Sequence, residues 1–381
     1  MQHVRKPAVI MLCLLLLTAC WDRKEISDVN FIMGMGIDLI EDDTYRVTFQ
    51  WAYPPQFSTE GAASSQEENT VFSIEADTIP LAMAKLTEIS PRVPIFSHME
   101  LIALGEELLS KNAEDVINVI DREFEIRRTV NLVMVKGTAE SMLRAETPFE
   151  KVEATGIKEI IQLSNRSSTF EKVNLNVFFN HETDPHSLSY IPIAELVSDT
   201  ALHTTDSSES SWIKVERIAF LENYRLKREL SAREARAWLF VRGEVRDGTI
   251  TQINTGNGKL VGRSIAQSTS KKLDKQKDQP SLTISVEEKV SIIDKPLAMS
   301  IVKMEEVLAN SVKEQIEETI AKMQEENLDI FFIRSFIRHK DRKLWSEIKD
   351  EWEEVYPRLD FKVQVNIDIQ HENALRNQIP E

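Results

Sequence analysis

The sequence predicts a mixed α/β (α+β) multi-domain body, with mixed sheets flanked by helices, on three observations. Through the first half of the chain, segments with the two-residue period of strands alternate with segments of helical period. Near the end, a long amphipathic stripe precedes a clear strand in which Phe361, Val363, Val365, Ile367 and Ile369 alternate with Lys, Gln, Asn and Asp. The chain has 381 residues, 42% hydrophobic and 28% charged, which supplies two or three cores and excludes a collagen-like or wholly disordered protein.

Taken in order, Asn30 to Asp38 reads as a buried strand in which Gly34 and Gly36 permit a bend or bulge. Tyr45 to Trp51 alternates strictly, as a half-buried strand does. A loop through Pro54 and Pro55 leads to a strand near Val71 to Glu75. Asp77 or Thr78 then caps a helix with Pro80 in its first turn, stopped by Ser90-Pro91. His98 to Leu104 is a strand, Asn112 to Glu123 a helix and Thr129 to Val135 a strand. Helices are predicted at Thr138–Ala145 and Phe149–Leu163, and a strand at Val173–Phe179. The Ser- and Thr-rich run 198–211 reads as a linker, after which Ile213 to Leu221 opens a new set of strands. Ser231 and Glu234 form a capping box, and Thr255-Gly-Asn-Gly258 a hairpin turn. Ser268 to Ser281 reads as an exposed Lys-rich loop, followed by a strand at Leu282–Ile293. A long helix, about Leu297 to Asn327, turns Val312, Ile316, Ile320 and Met323 inward. A second helix, Lys343 to Tyr356, ends at Pro357 before the closing strand.

The extreme N-terminus has its own signature. His3, Arg5 and Lys6 precede an apolar run from Ala8 to Leu17, too short to span a bilayer and ending in small residues before Cys20. That is the pattern of a secretory signal peptide. Leu17-Thr18-Ala19-Cys20 also resembles the bacterial lipobox, which implies cleavage between Ala19 and Cys20 and a diacylglyceryl group on the Cys20 thiol, with palmitate-type chains. Two chains give stable anchoring where one is marginal. Cys13 leaves with the signal, so the exported body has no free thiol and no disulfide. The expected organisation is a signal peptide at 1–19, a lipidated tether at 20–29, an N-terminal α/β region at 30–197 with a possible division near 138, the linker at 198–211, a C-terminal α/β domain at 212–371 and a tail at 372–381.

The formal charge is −16, and −18 once Arg5 and Lys6 depart with the signal. Such a chain lacks the clustered cations that phosphate contacts or anionic lipid require, so no nucleic acid is expected as partner. Marked catalytic nucleophiles are missing, for there is no Gly-x-Ser-x-Gly elbow and no exported free thiol. His181-Glu-Thr-Asp-Pro185-His186 spaces its imidazoles five apart and interrupts them with proline, which suits a polar turn better than a metalloprotease helix. Gly34-Met-Gly36 opens like a nucleotide fingerprint, but Leu39 stands where a third glycine is needed. His98 reads as a hydrogen-bonded structural histidine. The glutamates of the long helix, Glu305, Glu306, Glu314, Glu317, Glu318, Glu325 and Glu326, form an acidic face that is solvated or meets a cationic partner. No catalytic residue, cofactor or metal site is expected.

Three stretches carry a family resemblance. Leu17-Thr-Ala-Cys-Trp-Asp-Arg-Lys-Glu-Ile-Ser-Asp28 continues into Phe31-Ile-Met-Gly-Met-Gly-Ile-Asp38. Ser90-Pro-Arg92 and Phe96-Ser-His98 precede an apolar strand. Leu328-Asp-Ile-Phe331 is followed by Leu344-Trp345, Trp352 and Pro357. Together they resemble the Ger(x)C family, the lipoprotein subunits of bacterial spore germinant receptors, over nearly the whole mature chain. Phe332 stands where members often carry Gly, and the ending after Ile369 lacks their usual Gly. The resemblance implies a three-domain α/β body on the outer face of the inner spore membrane. It also implies partnership with two integral-membrane subunits, one of them transporter-like, in a complex that senses small nutrients and triggers germination. The leading expectation is therefore a non-enzymatic receptor subunit anchored through Cys20. Its alternatives are a solute-binding lipoprotein that captures a small nutrient directly and an envelope hydrolase.

Overall fold

The computed structural model describes residues 28–372, apart from 42, 53–68, 148–149, 164–167, 183–187, 199–210, 257, 275–279 and 297–298. The expected signal peptide, Ala19, Cys20, nearly all of the tether, His186 and most of the 198–211 linker lie outside these residues.

The first part of the chain forms β1 (Val29–Glu41), β2 (Thr44–Ala52), β3 (Asn69–Ala76), α1 (Ile79–Ile89), β4 (Val93–Ile95), β5 (Leu101–Gly105), α2 (Glu106–Lys111), α3 (Glu114–Arg122), β6 (Asn131–Val135), α4 (Ala139–Leu143), α5 (Glu153–Gln162), α6 (Leu175–Glu182), β7 (Ser189–Ser198), β8 (Ser211–Glu222) and β9 (Arg225–Leu230). All nine strands join one sheet in the order β3-β2-β1-β5-β6-β7-β8-β9, with β4 beside the start of β1. Strands β1, β5, β6 and β7 are parallel, and antiparallel pairs flank them on both sides. The parallel strands β5 and β6 are buried along their whole length, because helices cover both faces.

The rest forms α7 (Ala232–Arg242), β10 (Ile250–Thr255), β11 (Gly258–Asp274), β12 (Ser281–Asp294), α8 (Ile301–Glu325), α9 (Ile333–Lys340), α10 (Arg342–Ile348), α11 (Trp352–Val355) and β13 (Asp360–Glu372). Strands β10 to β13 make a second sheet in sequence order, antiparallel except for the parallel pair β12–β13. The expected stripe of α8 is observed: Val312, Ile316, Ile320 and Met323 are buried, and Ser300 caps the helix by accepting from Lys303 N. In β13 the apolar residues face inward and Lys362, Gln364, Asn366 and Asp368 face water, as the alternation predicts.

Four local expectations fail for physical reasons. Strand β2 is buried on both faces, because Thr48 bonds Ser73 and Gln50 is engaged by α4 and α5, so its polar residues point at protein rather than water. Val173–Phe179 contains a helix, α6, not a strand. Asn174 Oδ1 accepts from Val177 N at its start, and Leu175, Phe178 and Phe179 then fall on one buried face. Residues 268–274 are not loop but the second half of β11, where Ser, Thr and Lys alternate between the buried and solvent faces and pair with β12. The expected helix 343–356 is broken into α10, two single 3₁₀ turns and α11. Strand β7 escapes a propensity reading because Pro192 interrupts it; the sheet accommodates that residue at a shift of register between Pro192 and Ala194.

Ile213 to Leu221 is a strand, but it does not open a separate sheet: β8 pairs antiparallel with β7, so the first sheet runs on to Leu230. Helix α7 follows directly and packs against β8, β9, β11, β12 and α8, between the two sheets. Its Ala235, Ala237, Trp238, Leu239, Phe240 and Val241 are all buried, while Arg233 and Glu234 in its first turn pair with Glu318 and Lys322 of α8 and Arg236 donates to Ile250 O. The capping box at Ser231 and Glu234 is formed, and Gly243 closes the helix at φ 77° in the left-handed region.

Candidate functional site

The three stretches that carried the resemblance each act as a joint in the fold. In the first, Gly34 and Gly36 lie on β1 beneath α5 and α4. A Cβ on Gly34 would meet Ala154 Cβ at 2.6 Å, and one on Gly36 would meet Ala139 Cβ at 2.9 Å. The glycines therefore admit helices rather than a nucleotide, although β1 does shift register between Ile32 and Gly34 as expected of a bulge. Asp38 closes the motif by capping α4: its Oδ1 accepts from Ala139 N at 2.7 Å and its Oδ2 from Glu140 N at 2.9 Å. Burial raises the Asp38 carboxyl above its ordinary value, and these two amides oppose that rise.

In the second, Ser90 Oγ accepts from Asn30 Nδ2 at 3.2 Å and donates to Arg92 O at 2.5 Å, which ties the turn after α1 to the start of β1. His98, expected as a hydrogen-bonded structural histidine, is exposed, with its ring edge-on to Phe31 at 5.0 Å. In the third, Trp238 Nε1 donates to Ile330 O at 2.8 Å and Tyr356 Oη to Leu328 O at 3.1 Å. Asp329 caps α9 through Ile333 N and Arg334 N. The chain thus threads between α7 and the C-terminal helices. Phe332 has φ 57° and ψ 37°, a left-handed conformation that glycine adopts without cost and phenylalanine does not.

Around that residue lies the densest gathering of buried charge and aromatic surface. Arg242, at the end of α7, places its guanidinium 4.6 Å from the Trp238 ring centroid, 5.5 Å from Tyr190 and 5.4 Å from Phe332. It pairs with Glu171 at 3.2 Å, and Tyr190 Oη donates to the same carboxylate at 3.0 Å. His181 stacks on Phe332 at 5.1 Å and lies tilted against Tyr190 at 4.9 Å. Burial raises Glu171 while Arg242 opposes it, and burial likewise raises the Tyr190 phenol. Lys271, on β11, is lowered to about 8 by desolvation and by the like charge of Arg242, with Asp329 opposing. Every cation here meets a carboxylate or a ring of the same chain, which describes a lock between the sheets.

Other candidates disperse. His181 and Glu182 sit at the end of α6, where Glu182 accepts from Tyr224 N at 3.1 Å. No group of three or more His, Cys, Asp or Glu side chains suited to a metal ion occurs among the described residues. The acidic face of α8 meets cations of its own chain: Glu318 pairs with Arg233 and Glu326 with Arg228, both at 2.8 or 2.9 Å. An open surface cavity of about 540 Å³ lies at the β8–β9 hairpin, but Arg225 is held by Ser110 O and Lys227 by Glu222. Sequence reasoning missed Arg242, Glu171 and Tyr190. The one signal for them was a capped helix whose second half, Ala237 to Val241, is apolar and closes on Arg242.

Comparison with known proteins gives a consistent result. A family model described as a spore germination protein N-terminal domain matches residues 22–196, and one described as spore germination B3/GerAC-like, C-terminal, matches residues 216–373. The chain is 24% identical to spore germination protein B3 of Bacillus subtilis (strain 168), covering 97% of this chain and 98% of that protein. It is 23% identical to spore germination protein KC of the same organism, covering 97% and 95%. Among solved structures, the crystal structure of the GerBC protein superposes with a TM-score of 0.54 at 19% identity, covering 88% of this chain and 97% of that one, and so shares the fold.

Proposed function

The chain belongs to the Ger(x)C family of spore germination proteins, and from that premise we propose that it is the lipid-anchored, non-enzymatic C subunit of a spore germinant receptor. The observation that carries this reading is the conjunction of a family match across both halves of the exported body with Leu17-Thr-Ala-Cys20 immediately ahead of it. Cys20 takes the diacylglyceryl group, cleavage after Ala19 then leaves it as the lipidated first residue, and the body stands on the outer face of the inner spore membrane beside two integral-membrane subunits. Its part in nutrient-triggered germination is then played through protein contacts. The charges matched within the chain at the α7 junction are consistent with a body that acts through contacts.

Deletion of the reading frame, with spores scored against individual nutrients, tests the role. Loss of response to one nutrient class with others retained is expected, and a full response to every nutrient contradicts it. Anchoring is tested separately by Cys20→Ala, which is expected to move the protein from the spore membrane fraction to the soluble fraction.

A further inference from the structure

We propose that the end of the first sheet from which β1 starts is a membrane-docking end, seated on the lipid surface by Phe124, Ile89 and Val93. The inference rests on the anchored reading above and adds an orientation to it. Cys20 lies nine residues before Val29, so an acylated Cys20 holds the start of β1 within about 30 Å of the bilayer. Strands β4, β5 and β6 run in the same direction as β1, β4 starting level with Val29 and β5 and β6 level with Gly34, so their first residues face this end. Helices α1 and α3, which pack together, both run back toward it, α1 after β3 and α3 after β5.

Of the exposed large apolar side chains on and beside these elements, three lie at this end, while Ile40 and Leu81 lie toward the other. Ile89 is the last residue of α1 and is 57% exposed; Val93 pairs in register with Val29 itself and is 45% exposed. Phe124, two residues past the end of α3, is 90% exposed, the highest value for any large apolar side chain among the described residues. A phenylalanine held in water costs free energy that insertion at the level of the lipid headgroups recovers. Charge favours this end as well. In a chain of formal charge −16, the stretch Asp121 to Arg128 balances Asp121, Glu123 and Glu125 with Arg122, Arg127 and Arg128, so an anionic bilayer is not repelled there. The occupant is therefore the bilayer to which the tether already ties the protein.

The test uses the full acylated chain in vesicles of phosphatidylcholine and phosphatidylglycerol that contain nitroxide-labelled lipid. A fluorophore is placed on Glu88→Cys or Arg127→Cys, beside the apolar residues, and on Glu107→Cys at the opposite end of the sheet. Lipid quenching of about twofold or more is expected at 88 and 127 and none at 107. Combining either label with Phe124→Ser, Ile89→Ser and Val93→Ser is expected to abolish that quenching while the protein still floats with the vesicles. Flotation without quenching at 88 and 127 overturns the docking but leaves the anchor standing. Failure to float overturns both. Quenching absent from these vesicles, with both labels shielded only when the integral-membrane subunits are co-reconstituted, makes this end a protein interface and also overturns the proposal.

Discussion

Gly36 shows how one residue can carry a motif. A methyl group added there would lie 2.9 Å from Ala139 Cβ and 3.1 Å from Leu143 Cδ1, while a helix that is itself capped by Asp38 has little freedom to withdraw. Gly36→Ala is therefore expected to destabilise by about 1–3 kcal/mol, read as a lower urea midpoint at unchanged slope. A second residue-scale expectation concerns pH. Glu288 is 5% exposed beneath α8, and burial raises its carboxyl to about 7, with Ser264 and the charge of Arg236 offsetting only part of that cost. Between the ordinary carboxylate value and about pH 7, the folded state keeps a proton that the unfolded chain has released. The contribution of Glu288 is thus fully present below the ordinary value and is lost as pH rises through about 7. The loss is of the order of 3 kcal/mol. Glu288→Gln is expected to flatten this part of the stability profile, so that urea midpoints at pH 5 and pH 8 lie closer together than in the wild type. An unchanged profile would assign the pH dependence to other groups.

At the scale of elements, helix α7 makes the sharpest prediction. Its N-terminus is fixed by the Ser231–Glu234 box and its C-terminus by Arg242, whose guanidinium is held by Glu171 and three rings. Arg242→Met removes the charge and leaves the half-buried Glu171 without its cation, a loss expected to cost about 1–3 kcal/mol. Adding Glu171→Gln is expected to restore part of the stability, because the unpaired charge is then gone. A double-mutant cycle in chemical denaturation measures the coupling, and strictly additive effects would mean that the pair is not coupled. The same helix shows what a sequence reveals. Its cap was legible because a capping box is local, spanning four residues. The α8 stripe and the β13 alternation were legible because one periodic face sufficed to define each. What failed was non-local. Thr48 looks solvent-facing until β3 supplies Ser73, Gln50 until α4 and α5 arrive from about a hundred residues away, and the polar second half of β11 looks like loop until β12 pairs with it. The Arg242 cluster joins residues from four separate segments, and no short motif encodes such a convergence. The lipidation proposed at Cys20 is legible for the opposite reason: its motif, Leu17 to Cys20, is contiguous and needs no fold to be read.

For the whole molecule, the question is whether the two sheets are separate folding units. Strands β8 and β9 lie beyond the expected linker yet complete the first sheet, and α7 follows them into the space between the sheets. One continuous set of buried side chains runs from Ile32 on β1 through Trp238 on α7 to Ile284 on β12 and Val363 on β13. A smaller group around Leu260, Met304 and Leu308 stands apart beneath the start of α8. Separating the sheets would strip α7 of cover on one side, expose Trp238 and Phe240, and part Trp238 from Ile330 O. Those penalties fall together, so loss of one sheet should carry the other with it. The expected outcome in urea is a single transition, with tryptophan fluorescence and far-ultraviolet circular dichroism giving coincident midpoints. Amide exchange in the native state adds an internal test. Protection in β5 and β6 should match that in β12, while amides of β10 and the first turn of α8, which rest on the smaller apolar group, exchange at lower free energy. A plateau in which β12 and β13 have exchanged while β5 and β6 remain protected would show that α7 is not shared but belongs to the first sheet alone.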